Sequence, residues 1–220
     1  MKLQLYRPLK QLQISQNFGE NNICIKMDGT GSVIPRTGAN CLDGYESVYK
    51  HFGMKGHNGL DLPARDWEPV FISLEGVVTE IETERNRGLG IAVTSEQKYE
   101  WIDAFSQSSG ENRIKVRYWH KAGINVKMGD RVKVGNVGGW ADNTGISTGS
   151  HLHWEIKPVS DDGLINVLQN NGMYGAIDPL VYLQNISAFE KTDFLAKIQL
   201  NIWSIADQIA ELINKLKGRS

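Results

Sequence analysis

The sequence predicts a mainly β protein of short antiparallel strands, with an α-helix at its C-terminal end. From about residue 57 the chain passes through "PVFI", "GVVTEIETE", "GIAVTS", "IKVRYWH" and "HLHWEIK", short β-branched or aromatic runs separated by Gly, Asn and Asp. Runs of that kind suit an antiparallel sheet or sandwich. The 23 glycines among 220 residues favour many turns over long helices. Near the end, Leu195, Ile198, Ile202, Ile205, Ile209, Leu212 and Leu216 step by three and four, which is a heptad seam on a helix.

Three segments follow in order. Residues 1–56 begin with a short strand and the turn-rich "NFGENN", then continue as a loop-dominated stretch holding Cys24 and Cys41. These two thiols either close a disulfide worth ~3 kcal/mol in an oxidising compartment or stay free in a reducing one. No CxxC pair is present, which argues against a cysteine zinc knuckle. Residues 57–186 form the principal domain. Within it, "NVKMGDRVKVGNVGG" reads as a hairpin-rich connector, and the polar residues 96–113 read as a surface loop or a lid. Residues 187–220 carry the amphipathic helix, which either packs on its own domain or serves self-association or docking on a larger assembly. Lys197, Asp207, Glu211 and Lys215 within it argue against a membrane span.

Charge and hydropathy narrow the function. A net charge of −1 provides no global field to recruit nucleic acid or an anionic membrane. The scattered basic residues Arg113, Lys115, Arg117, Lys121, Lys127, Arg131 and Lys133 read as a solvated face. No stretch reaches the ~18 uncharged apolar residues of a transmembrane helix. "MKLQLYRPLKQLQ" lacks the apolar core of a signal peptide.

The candidate chemistry lies in the histidines. Along a strand, "HLHWEI" places His151, His153 and Glu155 on one face and Leu152, Trp154 and Ile156 on the other. In "GHNGLD", His57 and Asp61 stand four apart, a spacing that shares one face of either an extended strand or a helical turn. Gly59 between them leaves room for an ion. Together His57, Asp61 and His153 offer two imidazoles and a carboxylate, a donor set typical of catalytic zinc with an open fourth position. In "KVRYWH", alternation places His120 with Val116 and Tyr118 at the end of a strand, overlooking a cleft. Glu155 reads equally as the residue orienting a ligand or as a solvated strand position. His51 reads as structural or groove-lining.

"GHNGLD", "YWH", "VKMGDRVKVG" and "GNVGGWADNTGISTGSHLHWEI" resemble the M23 (lysostaphin-type, LytM-like) zinc endopeptidases, and they stand in that family's order over residues 50–157. The resemblance implies an antiparallel β-sheet groove domain of the LytM-like, duplicated-hybrid-motif type. It implies Zn2+ held by His57, Asp61 and His153, with His120 and His151 as catalytic histidines and peptidoglycan peptides as substrate. Ser150 replaces the family's usual proline before HxH, and Trp154 replaces its common phenylalanine; neither change removes a ligand or donor.

No HExxH glutamate is available as general base, so either His120 or His151 is expected to fill that role while the other stabilises the oxyanion. The expected place of action is the cell wall or a virion. The missing leader, extra loops and heptad tail point to a virus-encoded factor for infection or lysis. The alternatives are a catalytically silent M23-like scaffold or activator of another wall enzyme, and a tail or assembly protein.

Overall fold

The computed structural model describes residues 1–30, 32–36, 40–83, 88–145, 147, 149–163, 166–168, 170–191 and 209. The predicted helix along 195–216 lies outside these residues apart from Ile209. The fold is mainly β and antiparallel, as the alternating runs predict. Its strands in chain order begin with β1 (Leu5–Arg7), β2 (Ile23–Lys26), β3 (Val33–Pro35) and β4 (Tyr45–Ser47). A short helix α1 (Val48–His51) follows, then β5 (Leu60–Pro63), β6 (Pro69–Phe71) and β7 (Gly76–Glu82). Next come β8 (Gly90–Asp103), β9 (Ser108–Trp119), β10 (Lys121–Ile124) and β11 (Arg131–Val132). The last are β12 (Val137–Ala141), β13 (His151–Val159) and β14 (Leu183–Ser187).

Six strands form the principal sheet in the order β11-β7-β8-β9-β13-β5, every neighbouring pair antiparallel. One of its faces is the core. Ile91 and Val93 on β8, Val116 and Tyr118 on β9, and Leu152, Trp154 and Ile156 on β13 are all fully buried. Against this face lies a second sheet, β10-β12-β6. Contact between the two is close at Gly138, where a Cβ would come within 2.8 Å of Ile72 and Ile91 methyls. Tyr118 joins the layers by hydrogen bonds between its hydroxyl and the backbone N–H and hydroxyl of Ser73.

Two expectations are corrected. Residues 96–113 are not a loop or lid: β8 and β9 run through them as one long antiparallel hairpin closed at residues 104–107. Tyr99, Trp101 and Asp103 are buried there while Lys98, Glu100 and Ile102 face out. The period is two, but the outward residues are polar enough to disguise the strand. Nor is the basic stretch a solvated face throughout. Lys115 and Lys121 are buried, whereas Lys127, Arg131 and Lys133 are exposed.

The segment between β1 and β5 folds into a third sheet, β3-β2-β4, in which Cys24 and Cys41 form a disulfide. Ser47 caps α1 by accepting a hydrogen bond from the Lys50 N–H at 3.3 Å. The disulfide ties β2 to the loop before β4, and the Ser47 cap closes the first turn of the helix that carries Tyr49. β1 returns to pair in parallel with β14.

Candidate metal centre

The site stands on the other face of the principal sheet, at its β5 edge. Antiparallel register places His153 on β13 directly opposite Asp61 on β5. Cross-strand partners share a face, so this pairing brings together two residues that are 92 apart in sequence. His57 precedes β5 and is held by a turn of the N-terminal segment: its N–H donates to Glu20 O, and its carbonyl accepts from Gly19 N–H, both at 2.8 Å. Three donor atoms converge as a result. His57 Nε2 and His153 Nδ1 are 2.9 Å apart, and Asp61 Oδ1 lies 3.1 Å from the first and 3.0 Å from the second.

This triangle suits a metal ion. Tetrahedral zinc with bonds of roughly 2.0–2.1 Å separates its donors by roughly 3.3 Å, close to the observed edges. Two imidazoles and one carboxylate on three corners leave the fourth open. The Nδ1 of His57 faces the Asn17 carbonyl at 3.3 Å, so the N–H placed there leaves Nε2 with its lone pair turned inward.

Two more histidines border the same space. His151 begins β13; its Nε2 lies 3.5 Å from Asp61 Oδ1, and its Nδ1 lies 2.7 Å from the Gly149 carbonyl. The His120 ring centroid is 4.6 Å from that of His151 and 6.1 Å from that of His153. Its Nδ1 is 2.5 Å from the Thr144 carbonyl. Strand alternation misplaces this residue. Val116 and Tyr118 face the core, and His120 would follow them, but its φ of 61° breaks the alternation between β9 and β10. The turn carries the ring to the histidine side, and a positive φ at a non-glycine residue is a strain that clusters at functional sites.

Charge follows from this geometry. Burial disfavours ionisation of Asp61, but the hydrogen bonds and charges of His153 and His57 outweigh it and hold the carboxyl well below its usual range. Burial likewise opposes a charge on His153, yet Asp61 and Glu155 overcome it and push the imidazole up to about 9. His120 moves the other way: burial, reinforced by His151 and His153, brings it down to about 4, so the ring is neutral at pH 7.

His57, Asp61, His120, His151 and His153 all line one cavity of about 430 Å³. Its other wall is Gln16, Ile23, Val33, Val48, Tyr49, Phe52 and Met54, from the disulfide-bearing segment and its neighbours. The Tyr49 ring centroid is 5.8 Å from that of His57, and burial followed by the Asp61 charge raises its hydroxyl above the usual phenol range. Sequence reasoning missed Tyr49 and this wall because nothing in a loop-rich stretch signals that it folds back over a distant strand. His51 is exposed at the end of α1 and is absent from the cavity lining. Glu155 is 1% exposed, which overturns its reading as a solvated strand residue.

Residues 55–166 match the model of Peptidase family M23. The chain belongs to that family. Among relatives of this M23 chain is the glycyl-glycine endopeptidase ALE-1 of Staphylococcus capitis, 40% identical over 68 residues, or 31% of this chain and 16% of that protein. The peptidoglycan DD-endopeptidase ShyB of Vibrio cholerae is 27% identical over 142 residues, 64% of this chain and 28% of its own length. The matches therefore span under a third of either relative. The solved catalytic domain of lysostaphin from Staphylococcus simulans is 24% identical with a TM-score of 0.44, covering 58% of this chain and 79% of that one.

Gly59 gives the M23 site a direct test. A Cβ there would lie 2.7 Å from the Trp154 carbonyl and 2.8 Å from His153 Cε1. A side chain there meets both the β13 backbone and the ligand ring, so strand and ring must both shift. Gly59→Ala is expected to lower stability in urea unfolding and to weaken metal retention roughly 10–100-fold, as loss of ligand orientation does.

Proposed function

We propose that the chain is a zinc-dependent endopeptidase that hydrolyses peptide bonds in bacterial peptidoglycan, either crosslinks or stem peptides. The observation that carries this reading is the convergence of three donor atoms within 3.1 Å of one another, with two further imidazoles on the same cavity. His57, Asp61 and His153 would hold the ion. Zinc bound there supplies Lewis acidity toward the scissile carbonyl and activates water at neutral pH.

The remaining roles fall to the chain. In each of His120 and His151 an Nδ1–H donated to a backbone carbonyl fixes the ring and leaves Nε2 for the reaction. Neutral His120 is suited to accept a proton at Nε2. His151, whose Nε2 lies 3.5 Å from Asp61 Oδ1, would donate to the oxygen on which negative charge develops when its ring carries a second proton at Nε2. The apolar wall of Ile23, Val33, Val48 and Phe52 excludes water from one side of the bound peptide.

The test is zymography on purified cell walls. Clearing is expected, abolished by a chelator and restored by added zinc, and mass spectrometry of the released fragments would identify the bond. A protein that binds zinc but clears no wall would be the silent scaffold instead.

A further inference from the structure

We infer that Glu155 is a positioning residue of this centre, a buried carboxylate that fixes the His153 ring with Nδ1 turned toward His57 and Asp61. The inference rests on the metal reading above. Glu155 follows His153 by two residues on β13 and shares its face. Its Oε1 accepts from Arg117 Nη1 at 2.6 Å and from Lys157 Nζ at 3.2 Å. Its Oε2 accepts from Asn58 Nδ2 and lies 3.8 Å from His153 Nε2. One carboxylate thus connects both ligand-bearing segments: Asn58 is the neighbour of His57 in the turn before β5, and His153 is on β13.

Burying a carboxylate is costly unless its partners are well placed, and three of the four here are ordinary hydrogen-bond or ion-pair donors. The fourth is the ligand ring itself. His153 has Nδ1 in the triangle and Nε2 3.8 Å from Glu155 Oε2, an ion-pair distance beyond direct hydrogen-bond reach, and a carboxylate so placed favours the ring orientation that keeps Nδ1 with Asp61. On the ring's edge, Gly59 leaves no side chain to compete: a Cβ there would lie 2.8 Å from His153 Cε1 and 3.0 Å from Nε2.

A purely structural role, neutralising Arg117 and Lys157, makes a different prediction, and Glu80 separates the two. Glu80, on β7, belongs to the same ion network, 2.5 Å from Lys115 Nζ and 3.3 Å from Arg117 Nε, but makes no ion pair with His153 among the described residues. Glu155→Gln is expected to weaken zinc binding by roughly 10–100-fold in chelator competition and to alter the visible d–d absorption of the cobalt-substituted protein. Glu80→Gln is expected to change neither. The inference is overturned if Glu155→Gln binds zinc as the wild type does, or if Glu80→Gln weakens binding equally. Should Glu155→Gln fail to fold, Asn58→Ala carries the same test from a half-buried side chain: weaker zinc binding supports the inference, and unchanged binding overturns it. Wild-type protein that holds zinc yet cleaves no peptidoglycan would sink the proposed activity and leave this inference standing.

Discussion

Asp61→Ala is expected to yield a folded protein that retains no zinc through dialysis and releases no fragments from purified peptidoglycan. Asp61 Oδ1 is the vertex the histidines share, at 3.1 Å from His57 Nε2, 3.0 Å from His153 Nδ1 and 3.5 Å from His151 Nε2. It is also the triangle's only anion, so its loss leaves two neutral donors to hold a doubly charged ion in a partly buried site. Asp61→Asn keeps the shape and an acceptor oxygen but not the charge, and should retain zinc more weakly than wild type and more strongly than alanine. His120→Ala makes the contrasting case. That ring lies beyond the triangle, so zinc content should match wild type while turnover falls by roughly 10²–10⁴-fold, the usual contribution of positioned proton transfer. Elemental analysis and fragment release on the same preparations separate the outcomes. Full zinc occupancy in Asp61→Ala would place the ion elsewhere, and wild-type turnover in His120→Ala would remove that ring from the reaction.

The contrast between these variants shows what a sequence can carry. His153 and Asp61 were legible because period-two alternation assigns a face without knowledge of the partner strand, and the β5–β13 register then sets the two side by side. His120 was legible as a histidine closing a strand but not in its direction, since no local pattern announces a φ of 61°. Glu155 was ambiguous because alternation gives a face but not what covers it. Here the covering comes from Asn58 and Arg117, on two other segments. The long β8–β9 hairpin was missed for a compositional reason: a strand with one polar face and widely spaced aromatics resembles a loop when read as a window average. The disulfide and the apolar wall needed the chain's path, which spacing alone does not supply.

Lys121, the residue after His120, should make the protein markedly more stable when replaced by methionine, by a margin that grows as pH falls from 10.5 toward 7. Its side chain is fully buried, and its Nζ has no hydrogen-bond partner among the described residues. The nearest compensation is the Tyr118 ring, with Nζ 5.5 Å from the centroid. Burial alone pushes the amine down to about 7 from its ordinary 10.5. Between those values the unfolded chain holds the proton more tightly than the folded one. Stability is therefore lost as pH falls from 10.5 toward 7 and levels off below it. At about 1.4 kcal/mol per unit the cost at low pH is on the order of 3–5 kcal/mol. Methionine fills a similar volume without a charge, so the gain in Lys121→Met should be largest at pH 6, smaller at pH 8 and smallest at pH 10. Urea-unfolding midpoints at these three values measure it. A gain independent of pH would mean that packing rather than the buried charge limits stability at this position, and a loss at pH 6 would mean that the ammonium has a partner in the folded protein.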